Sequence, residues 1–348
     1  MKRKVLVFTG NRAEYGLQLP VIKSLQKSNK INCKVMVSGS HLDKKFGNTI
    51  SEIKKDKLKI NSKIKLTKPL NLFLHTPYLI SEVIRKISKE LLKIKPDVFL
   101  INADRYETFG ACVASTQMNI PTFHIEGGDK TEGGVLDDSI RHAITKLSHI
   151  HFTTNMESYK NVINLGEEKW RVFNVGLPIN DTIRNSKFLN FGVLKKKFNI
   201  NKKPLILFTQ HPVTTEPFNS RIQIKTSLRA LKKIINRYDC NVIATYPNSD
   251  AGSDEIVDEL HIFKNANKNF KLIKSLGNLN YHSLINLNKT INVCIVGNSS
   301  SGIKESIAFN CPTINIGPRQ DGRLSPDNVI NSKHDENDIQ KKNSICTI

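Results

Sequence analysis

Carboxylates are concentrated between Ile125 and Thr145, IEGGDKTEGGVLDDSIRHAIT, in a chain whose formal net charge is +22. Glu126 follows an apolar run, Asp137 and Asp138 begin a helix-like segment, and Asp104 follows an earlier apolar run. Neighbouring carboxylates raise one another's pKa, which suits them to general acid–base work near neutral pH. Asp137 or Asp138 can alternatively serve as a helix N-cap, but capping does not account for the other two. These residues therefore predict acid–base chemistry. No H-E-x-x-H or related spacing accompanies them, so we expect no metal.

A second set of residues is suited to phosphate binding. In GNSSSGIKES, residues 297–306, an apolar run ends in small residues and a helix is predicted to start near Gly302. Serine hydroxyls and the N–H groups of a helix N-terminus bind phosphate, and Glu305 can accept hydrogen bonds from ribose hydroxyls. An ordinary serine N-cap is the structural alternative.

Arginines near strand ends add to this set. Arg12 lies where the first predicted strand meets the first helix, and a guanidinium there can hold a diphosphate in a bidentate grip. A pair between Arg12 and Glu14 in a capping loop is the alternative. Arg319 and Arg323 follow another strand in GPRQDGR, where surface positions are the alternative.

The cofactor motifs are absent from the sequence. It contains no G-x-x-x-x-G-K-[ST] segment, and no G-x-G-x-x-G follows the first strand. We therefore expect no nicotinamide, flavin or other cofactor.

Short apolar runs alternate with helix-like stretches, which is typical of βαβ units and parallel sheets. The pattern predicts an α/β fold with two Rossmann-like domains, residues 1–178 and 179–348, with a linker and a surface helix within 178–203. A ligand is expected at the carboxyl ends of the strands, in the cleft between domains. Strands are predicted at residues 4–10, 33–40, 97–102, 121–127, 149–154, 171–176, 205–211, 241–247, 270–276, 291–299 and 312–317.

The excess of basic residues is consistent with a solvated, lysine-rich surface. The lysines are spread along the chain, without the interleaved aromatic residues that stack on bases, so we expect a solvated surface and no nucleic-acid partner. No apolar run approaches the ~20 residues needed to span a membrane. The apolar run from Val5 to Phe8 is too short for a signal peptide, which predicts a cytoplasmic protein without a membrane partner.

Taken together, the motifs resemble those of the hydrolysing UDP-N-acetylglucosamine 2-epimerases. The resemblance runs in order from about residue 5 to about residue 330. It rests on NRAEYG, ADRYE, HIEGG, DDSIRHAITKLSH, QHPVTT, YPNSDAGS, GNSSSGIKE and INIGPRQDGR.

The resemblance implies a glycosyltransferase-B architecture and a sugar-nucleotide substrate. The implied reaction converts UDP-N-acetylglucosamine and water to N-acetylmannosamine and UDP through a 2-acetamidoglucal, a step toward sialic acids. Relatives act on UDP- or GDP-linked 2,4-diacetamido-trideoxy sugars on the route to legionaminic acid. The resemblance also implies a homo-oligomer, a dimer or tetramer.

Matching the motifs residue by residue gives two groups of site residues. The catalytic group would carry protons, stabilise positive charge at C1, orient the acids and assist the leaving phosphate: Asp104, Glu126, Asp137, Arg141 and His211. The substrate-binding group would contact the diphosphate, the ribose or the nucleoside: Arg12, Arg105, Asn248, Ser299, Ser300, Glu305 and Arg319.

The carboxyl-terminal segment departs from the family pattern. After GRLSPDNVI the chain continues as NSKHDENDIQKKNSICTI, and the resemblance leads us to expect several dozen further residues. This predicts a frayed tail and a second domain that is truncated at its end.

Three other functions remain open at the level of sequence. A nucleotide-sugar glycosyltransferase shares the scaffold, although the carboxylates of the first domain favour elimination over group transfer. A truncated protein would bind nucleotide sugars without catalysis. A nucleic-acid binder is indicated by charge alone, and its binding would weaken steeply with salt.

Overall fold

The computed structural model describes residues 2–45, 47–67, 74–131 and 136–345. Contacts within this part of the chain define two compact units. The first contains the described residues up to Lys130 together with Leu136–Thr182, and the second contains Thr131 and the described residues from Ile183 onward.

The first unit is built on a parallel sheet of seven strands in the order β3-β2-β1-β4-β5-β6-β7. Its strands are β1 (Arg3–Thr9), β2 (Ile31–Ser38), β3 (Ile60–Ile64), β4 (Val98–Asn102), β5 (Thr122–Ile125), β6 (Ile150–Thr153) and β7 (Val172–Asn174). Its helices are α1 (Arg12–Lys27), α2 (Ile50–Lys55), α3 (His75–Ile94), α4 (Tyr106–Gln117), α5 (Leu136–Leu147) and α6 (Met156–Asn164).

The central strands of this sheet are apolar on both faces. Along β1, Leu6 and Phe8 pack into one core cluster, whereas Val5 and Val7 pack into another. Strands buried on both faces read as continuous apolar runs, which is why the sequence reveals them. The strand order reverses between β1 and β4, and ligands of such sheets bind beyond the carboxyl ends of the strands at this point.

Two helices connect the sheets, α7 (Ile179–Asn185) and α8 (Phe191–Phe198). The second unit has a parallel sheet of six strands in the order β10-β9-β8-β11-β12-β13, which reverses between β8 and β11. Its strands are β8 (Leu205–Thr209), β9 (Asn241–Thr245), β10 (Phe270–Ile273), β11 (Val293–Gly297), β12 (Thr313–Ile316) and β13 (Val329–Ser332). Its helices are α9 (Ser220–Tyr238), α10 (Ser253–Ala266), α11 (Gly277–Asn286), α12 (Ser301–Lys304) and α13 (Glu336–Ile345).

The expectation of a frayed tail is wrong. β13 pairs in parallel with β12, and α13 follows it with Ile339 fully buried in the core of the second unit. Glu336 of α13 forms ion pairs with Arg229 and Lys233 of α9. The tail is ordered through α13 because the buried side chain of Ile339 and the two ion pairs of Glu336 hold this largely polar helix against the second unit.

Residues 178–203, predicted as a linker with one surface helix, contain two helices. They hold α7 and α8, and Leu194 and Phe198 of α8 are buried. Asn190 caps α8 by accepting a hydrogen bond from Val193 N at 3.0 Å. The polar composition of the segment reflects the exposed face of α8, since its apolar positions recur at helical spacing.

Among the described residues, no helix combines the length and the apolar character needed to cross a membrane.

Candidate active site

The predicted residues of the first unit lie at the carboxyl edge of its sheet. Arg12 is the first residue of α1 and follows β1, whereas Asp104 follows β4 and Glu126 follows β5. β1, β4 and β5 are adjacent, so these three residues lie beside the reversal of strand order.

Arg141 of α5 is the central cation of this edge. Its guanidinium forms a short ion pair with Asp104 and donates from Nη1 to Asp138 Oδ1 at 3.0 Å and to the carbonyl oxygen of Asp129 at 2.6 Å. Burial by itself lowers the pKa of Arg141, but the carboxylates of Asp104, Asp129 and Asp138 outweigh it and raise the pKa above its usual value. Arg141 is 1% exposed, so its charge is fixed at the base of the edge.

The backbone that presents the acids has unusual torsion angles. Ala103 and Glu126 adopt positive φ angles of 60° and 66°. Burial lowers the pKa of His124 to about 3, and its Nε2 lies 2.8 Å from the carbonyl oxygen of Ala103. The neutral ring therefore donates to Ala103, and this bond holds the turn that carries Asp104. Strain of this kind persists only where neighbouring groups enforce it.

Glu126 and Asp137 have different surroundings. Glu126 is buried, and its Oε2 accepts a hydrogen bond from Nδ2 of Asn102 at 3.2 Å. Asp137 and Asp138 lie in the first turn of α5, where a carboxylate is favoured by the helix dipole. Glu132, from the same acidic stretch, lies outside the described residues.

Two further carboxylates are buried beside Arg105. Glu14 accepts hydrogen bonds from Gly10 N at 2.8 Å and from Thr108 Oγ1 at 2.9 Å, rather than pairing with Arg12. Burial, together with the charge of Glu107, raises the pKa of Glu14 to about 8. Arg105 lies with its Nε 3.6 Å from Glu107 Oε2, so the neighbouring acid holds its guanidinium. Because its pKa is raised to about 8, Glu14 is mostly protonated at pH 7.

The second unit gathers its predicted residues at the corresponding edge of its own sheet. His211 follows β8, and Asn298 follows the adjacent strand β11. His211 N donates to Asn298 Oδ1 at 2.6 Å, and Asn298 Nδ2 donates to the carbonyl oxygen of His211 at 2.9 Å. The backbone N–H of Asn248 donates to His211 Nδ1 at 2.9 Å, which leaves Nε2 as the nitrogen that carries the proton in the neutral ring.

The serines of this edge follow a very tight turn. Gly297 has φ 138°, and a Cβ atom there would lie 1.8 Å from the carbonyl oxygen of Thr209. Ser299 Oγ is 3.0 Å from Ser301 Oγ, while Ser300 precedes α12 without a side-chain cap.

The helix predicted near Gly302 is shorter than the phosphate argument requires. α12 contains only four residues, Ser301–Lys304, and gives way to a 3₁₀ turn at Ser306–Phe309. One turn of helix has little dipole, so any phosphate binding here would rest on individual N–H and hydroxyl groups.

The remaining predicted residues adjoin the same edge. Arg319 follows β12 and donates from Nη1 to the carbonyl oxygen of Asn298 at 3.1 Å. Gln320 Nε2 donates to the same oxygen at 3.0 Å. Glu305 Oε2 lies 2.6 Å from Nε2 of His282.

Sequence reasoning missed several partners of these residues: Asn102, His124, Asp129, His282 and Asn298. His124 and Asp129 stand inside or directly beside the motif HIEGG, and their polarity next to an apolar strand was a usable signal. His282 lies in a helix with no motif of its own, so only the fold reveals its contact with Glu305.

The two edges offer different chemistry. The first unit provides acids around a fixed guanidinium, which suits proton transfer and stabilisation of a cation. The second unit provides imidazole, amide and hydroxyl donors with Arg319, which suits an oxyanion such as phosphate. Within the described ranges, no three His, Cys, Asp or Glu side chains cluster as a metal site.

Comparisons with known proteins agree with the predicted family. The family model described as UDP-N-acetylglucosamine 2-epimerase matches residues 23–347. The chain is 36% identical over 335 residues to the GDP/UDP-N,N'-diacetylbacillosamine 2-epimerase (hydrolyzing) of Campylobacter jejuni, covering 95% of this chain and 85% of that protein. It is 34% identical over 338 residues to the UDP-N,N'-diacetylbacillosamine 2-epimerase (hydrolyzing) of Legionella pneumophila, with the same coverage of 95% and 85%.

A solved structure supports the fold. The UDP-GlcNAc 2-epimerase of Neisseria meningitidis, bound to UDP-GlcNAc, superimposes with a TM-score of 0.78 at 20% identity, covering 98% of this chain and 90% of that chain. The predicted class of two parallel-sheet α/β domains of the glycosyltransferase-B type is confirmed. The family model spans most of the sequence and the first relative shares more than a third of its residues, so the chain belongs to the UDP-N-acetylglucosamine 2-epimerase family.

Proposed function

We propose that this enzyme hydrolyses a nucleotide-linked 2-acetamido sugar with inversion at C2, releasing the free sugar and a nucleoside diphosphate. The observation that carries the proposal is the cluster of Asp104, Asp129 and Asp138 around buried Arg141, with Glu126 at the end of the adjacent strand. The sheet edge therefore holds several acids in different surroundings, and the elimination and hydration described below need more than one acid.

The reaction proceeds by elimination and hydration. The C1–O bond breaks and its electron pair leaves on the terminal phosphate oxygen, while a carboxylate takes the C2 proton, giving a 2-acetamidoglucal. Water then adds its hydroxyl to C1, and a proton is delivered to C2 on the opposite face. Because the proton leaves one face and returns to the other, two proton carriers are needed.

The first unit supplies these groups in our assignment. Asp104, ion-paired to Arg141, stays negative and stabilises positive charge at C1. Glu126, which accepts a hydrogen bond from the neutral amide of Asn102, and Asp137 carry protons. Arg141 orients the acids, and Arg12 and Arg105 contact the substrate.

The second unit binds the nucleotide in the same assignment. His211 donates from Nε2 to the leaving phosphate, since Nδ1 is occupied by Asn248 N–H. Ser299, Ser300 and Arg319 bind the diphosphate. Asn248 and Glu305 contact the nucleoside or ribose.

The first candidate substrate is UDP- or GDP-linked N,N'-diacetylbacillosamine. This choice is supported by identities of 36% and 34% to two enzymes whose names specify that sugar. UDP-N-acetylglucosamine, the substrate in the family model's description, is the second candidate and would lead toward sialic-acid sugars.

A substrate panel tests the proposal. The purified protein is incubated separately with UDP-diacetylbacillosamine, GDP-diacetylbacillosamine and UDP-N-acetylglucosamine, and the released nucleoside diphosphate is measured with time. We expect release from at least one of the three, with the highest kcat/KM for a diacetylbacillosamine nucleotide. A higher kcat/KM for UDP-N-acetylglucosamine would reverse the order of candidates, and no release from any of them would refute the reaction.

A further inference from the structure

The side chain of Glu305 is anchored at one oxygen and open at the other. It follows α12, and His282 is its protein partner within the described part of the chain, at Oε2. The glutamate side chain remains 15% exposed. Its second oxygen, Oε1, is therefore available to accept a hydrogen bond from a ligand.

The imidazole that holds Glu305 is itself fixed. His282 lies on α11, and its side chain is 1% exposed. Its ring stacks on Phe309 at a centroid distance of 5.7 Å and an interplanar angle of 29°, and Phe309 packs edge-on against Phe188 at 5.5 Å. A ring clamped in this way can donate from Nε2 in only one direction.

A glutamate that the protein already holds in place loses less entropy when it binds a ligand. A free glutamate side chain loses rotational entropy when a ligand immobilises it, which weakens the net hydrogen bond. A glutamate that is already immobilised by a charge-assisted hydrogen bond avoids most of that loss.

We propose that His282 is a positioning residue that holds the Glu305 carboxylate ready to accept hydrogen bonds from the ribose hydroxyls of the nucleotide. The inference rests on the proposed function, because it takes from there the contact between Glu305 and ribose. It adds a residue on a different helix, 23 positions away in sequence, as the source of ribose recognition.

The experiment compares two ligands on the full-length protein. Isothermal titration calorimetry gives the affinity for UDP and for 2′,3′-dideoxy-UDP, which lacks both hydroxyls. Wild-type protein should prefer UDP by about 10-fold or more, as expected for a hydrogen bond to a charged group. His282→Phe, which keeps a ring against Phe309, should bring this ratio close to 1 by weakening UDP alone.

Further variants separate positioning from general stability. His282→Gln retains an N–H donor and should recover part of the preference, whereas His282→Met supplies a second donor-free variant should the phenylalanine variant not fold. His261→Phe is the matched control, since it removes an imidazole bonded at 2.6 Å to Tyr246 in the same unit and should leave the ratio unchanged.

The outcomes distinguish failure of the role proposed for His282 from failure of the proposed function. If Glu305→Gln loses the preference and both donor-free variants of His282 keep it, the positioning role is refuted. Equal weakening of both ligands by those variants would also refute it, because that is the effect of a structural residue. If Glu305→Gln keeps the preference, the assignment of Glu305 to ribose fails and the inference fails with it. Absence of UDP binding by wild-type protein, with GDP equally inactive, would overturn the proposed function as a whole.

Discussion

The two sheets present the same topology and opposite chemistry at their carboxyl edges. In the first unit, Arg141 and its acids form a network of full charges, and the turns of Ala103 and Glu126 have positive φ angles. In the second unit, His211 and Asn298 exchange neutral hydrogen bonds. One Rossmann-like layout can therefore position either a cluster of acids around a buried cation or a set of hydrogen-bond donors, depending on the residues that follow each strand.

The largest expected effect comes from neutralising an acid of the first unit. Glu126→Gln and Asp104→Asn should each lower kcat by about 10³-fold, within the usual range for general acid–base groups, because an amide neither exchanges a proton nor carries charge. Calorimetry should give an unchanged affinity for UDP, since the second unit binds the nucleotide in our assignment. Near-normal turnover of either variant would remove that residue from the catalytic group.

Removing Arg141, the central cation of the first unit, should mainly lower the stability of the folded protein. Arg141→Met leaves the partly buried carboxylates of Asp104 and Asp138 without the buried guanidinium that pairs with both, so we expect the free energy of unfolding to fall by about 3 kcal/mol. Urea denaturation measures this change. Arg221→Met is the control, because its ion pairs are more exposed and should contribute less than about 1 kcal/mol. Equal destabilisation by both variants would contradict the contrast between buried and exposed charge.

Adding a Cβ atom at Gly297, at the edge of the second unit, should destabilise the folded protein. Gly297→Ala places a Cβ atom 1.8 Å from the carbonyl oxygen of Thr209 at φ 138°, so we expect a loss of about 2 kcal/mol in the free energy of unfolding. Gly176→Ala is the matched control. Gly176 also has a positive φ, 79°, but nothing lies within 4 Å of its Cβ position. A Gly297 variant no less stable than the control would show that close approach of the strands is unimportant.

A smaller effect should appear in the pH dependence of stability. The pKa of Glu14 is raised by burial and by Glu107 to about 8, so the folded state keeps a proton that the unfolded state releases. The stability that Glu14 contributes is therefore present below its unfolded pKa and is lost as the pH rises toward 8. Relative to Glu14→Gln, wild-type protein should lose about 1 kcal/mol between pH 6 and pH 7.

Denaturation of both proteins at the two pH values measures this difference. Glu90→Gln serves as the control, because a hydrogen bond from Lys93 lowers the pKa of Glu90 and places its titration below this range. A difference between wild-type protein and Glu14→Gln that stays constant from pH 6 to pH 7 would show that Glu14 is ionised in the folded state.

The sequence predicts the central strands well but only two of the four edge strands, β7 and β10. The runs of β1, β4, β8 and β11 are apolar throughout because both faces are buried. β3 and β13 were missed because edge strands such as INSKI and VINS alternate with exposed polar residues and look like loops. The order of α13 could not be predicted because it depends on long-range partners in α9.

Local contacts of the site were predictable, but distant ones were not. Helical spacing predicts that Asp138 and Arg141 are neighbours, and they form an ion pair at 3.0 Å. The pair between Arg141 and Asp104 joins residues 37 positions apart and requires the parallel register of β4 and β5. The same limit applies to His282 and Glu305, since no spacing rule connects a helix residue with an acid two elements later.

The most direct test of the account is proton NMR of the reaction in deuterated water, with the nucleotide sugar that the panel identifies. If the acids of the first unit act by elimination and hydration, the free sugar will be inverted at C2 and carry one deuterium there, with the nucleoside diphosphate released. A free sugar that keeps its original configuration and its C2 proton would indicate simple hydrolysis, and a sugar inverted at C2 but still attached to the nucleotide would indicate epimerisation without hydrolysis. Either result would contradict the mechanism.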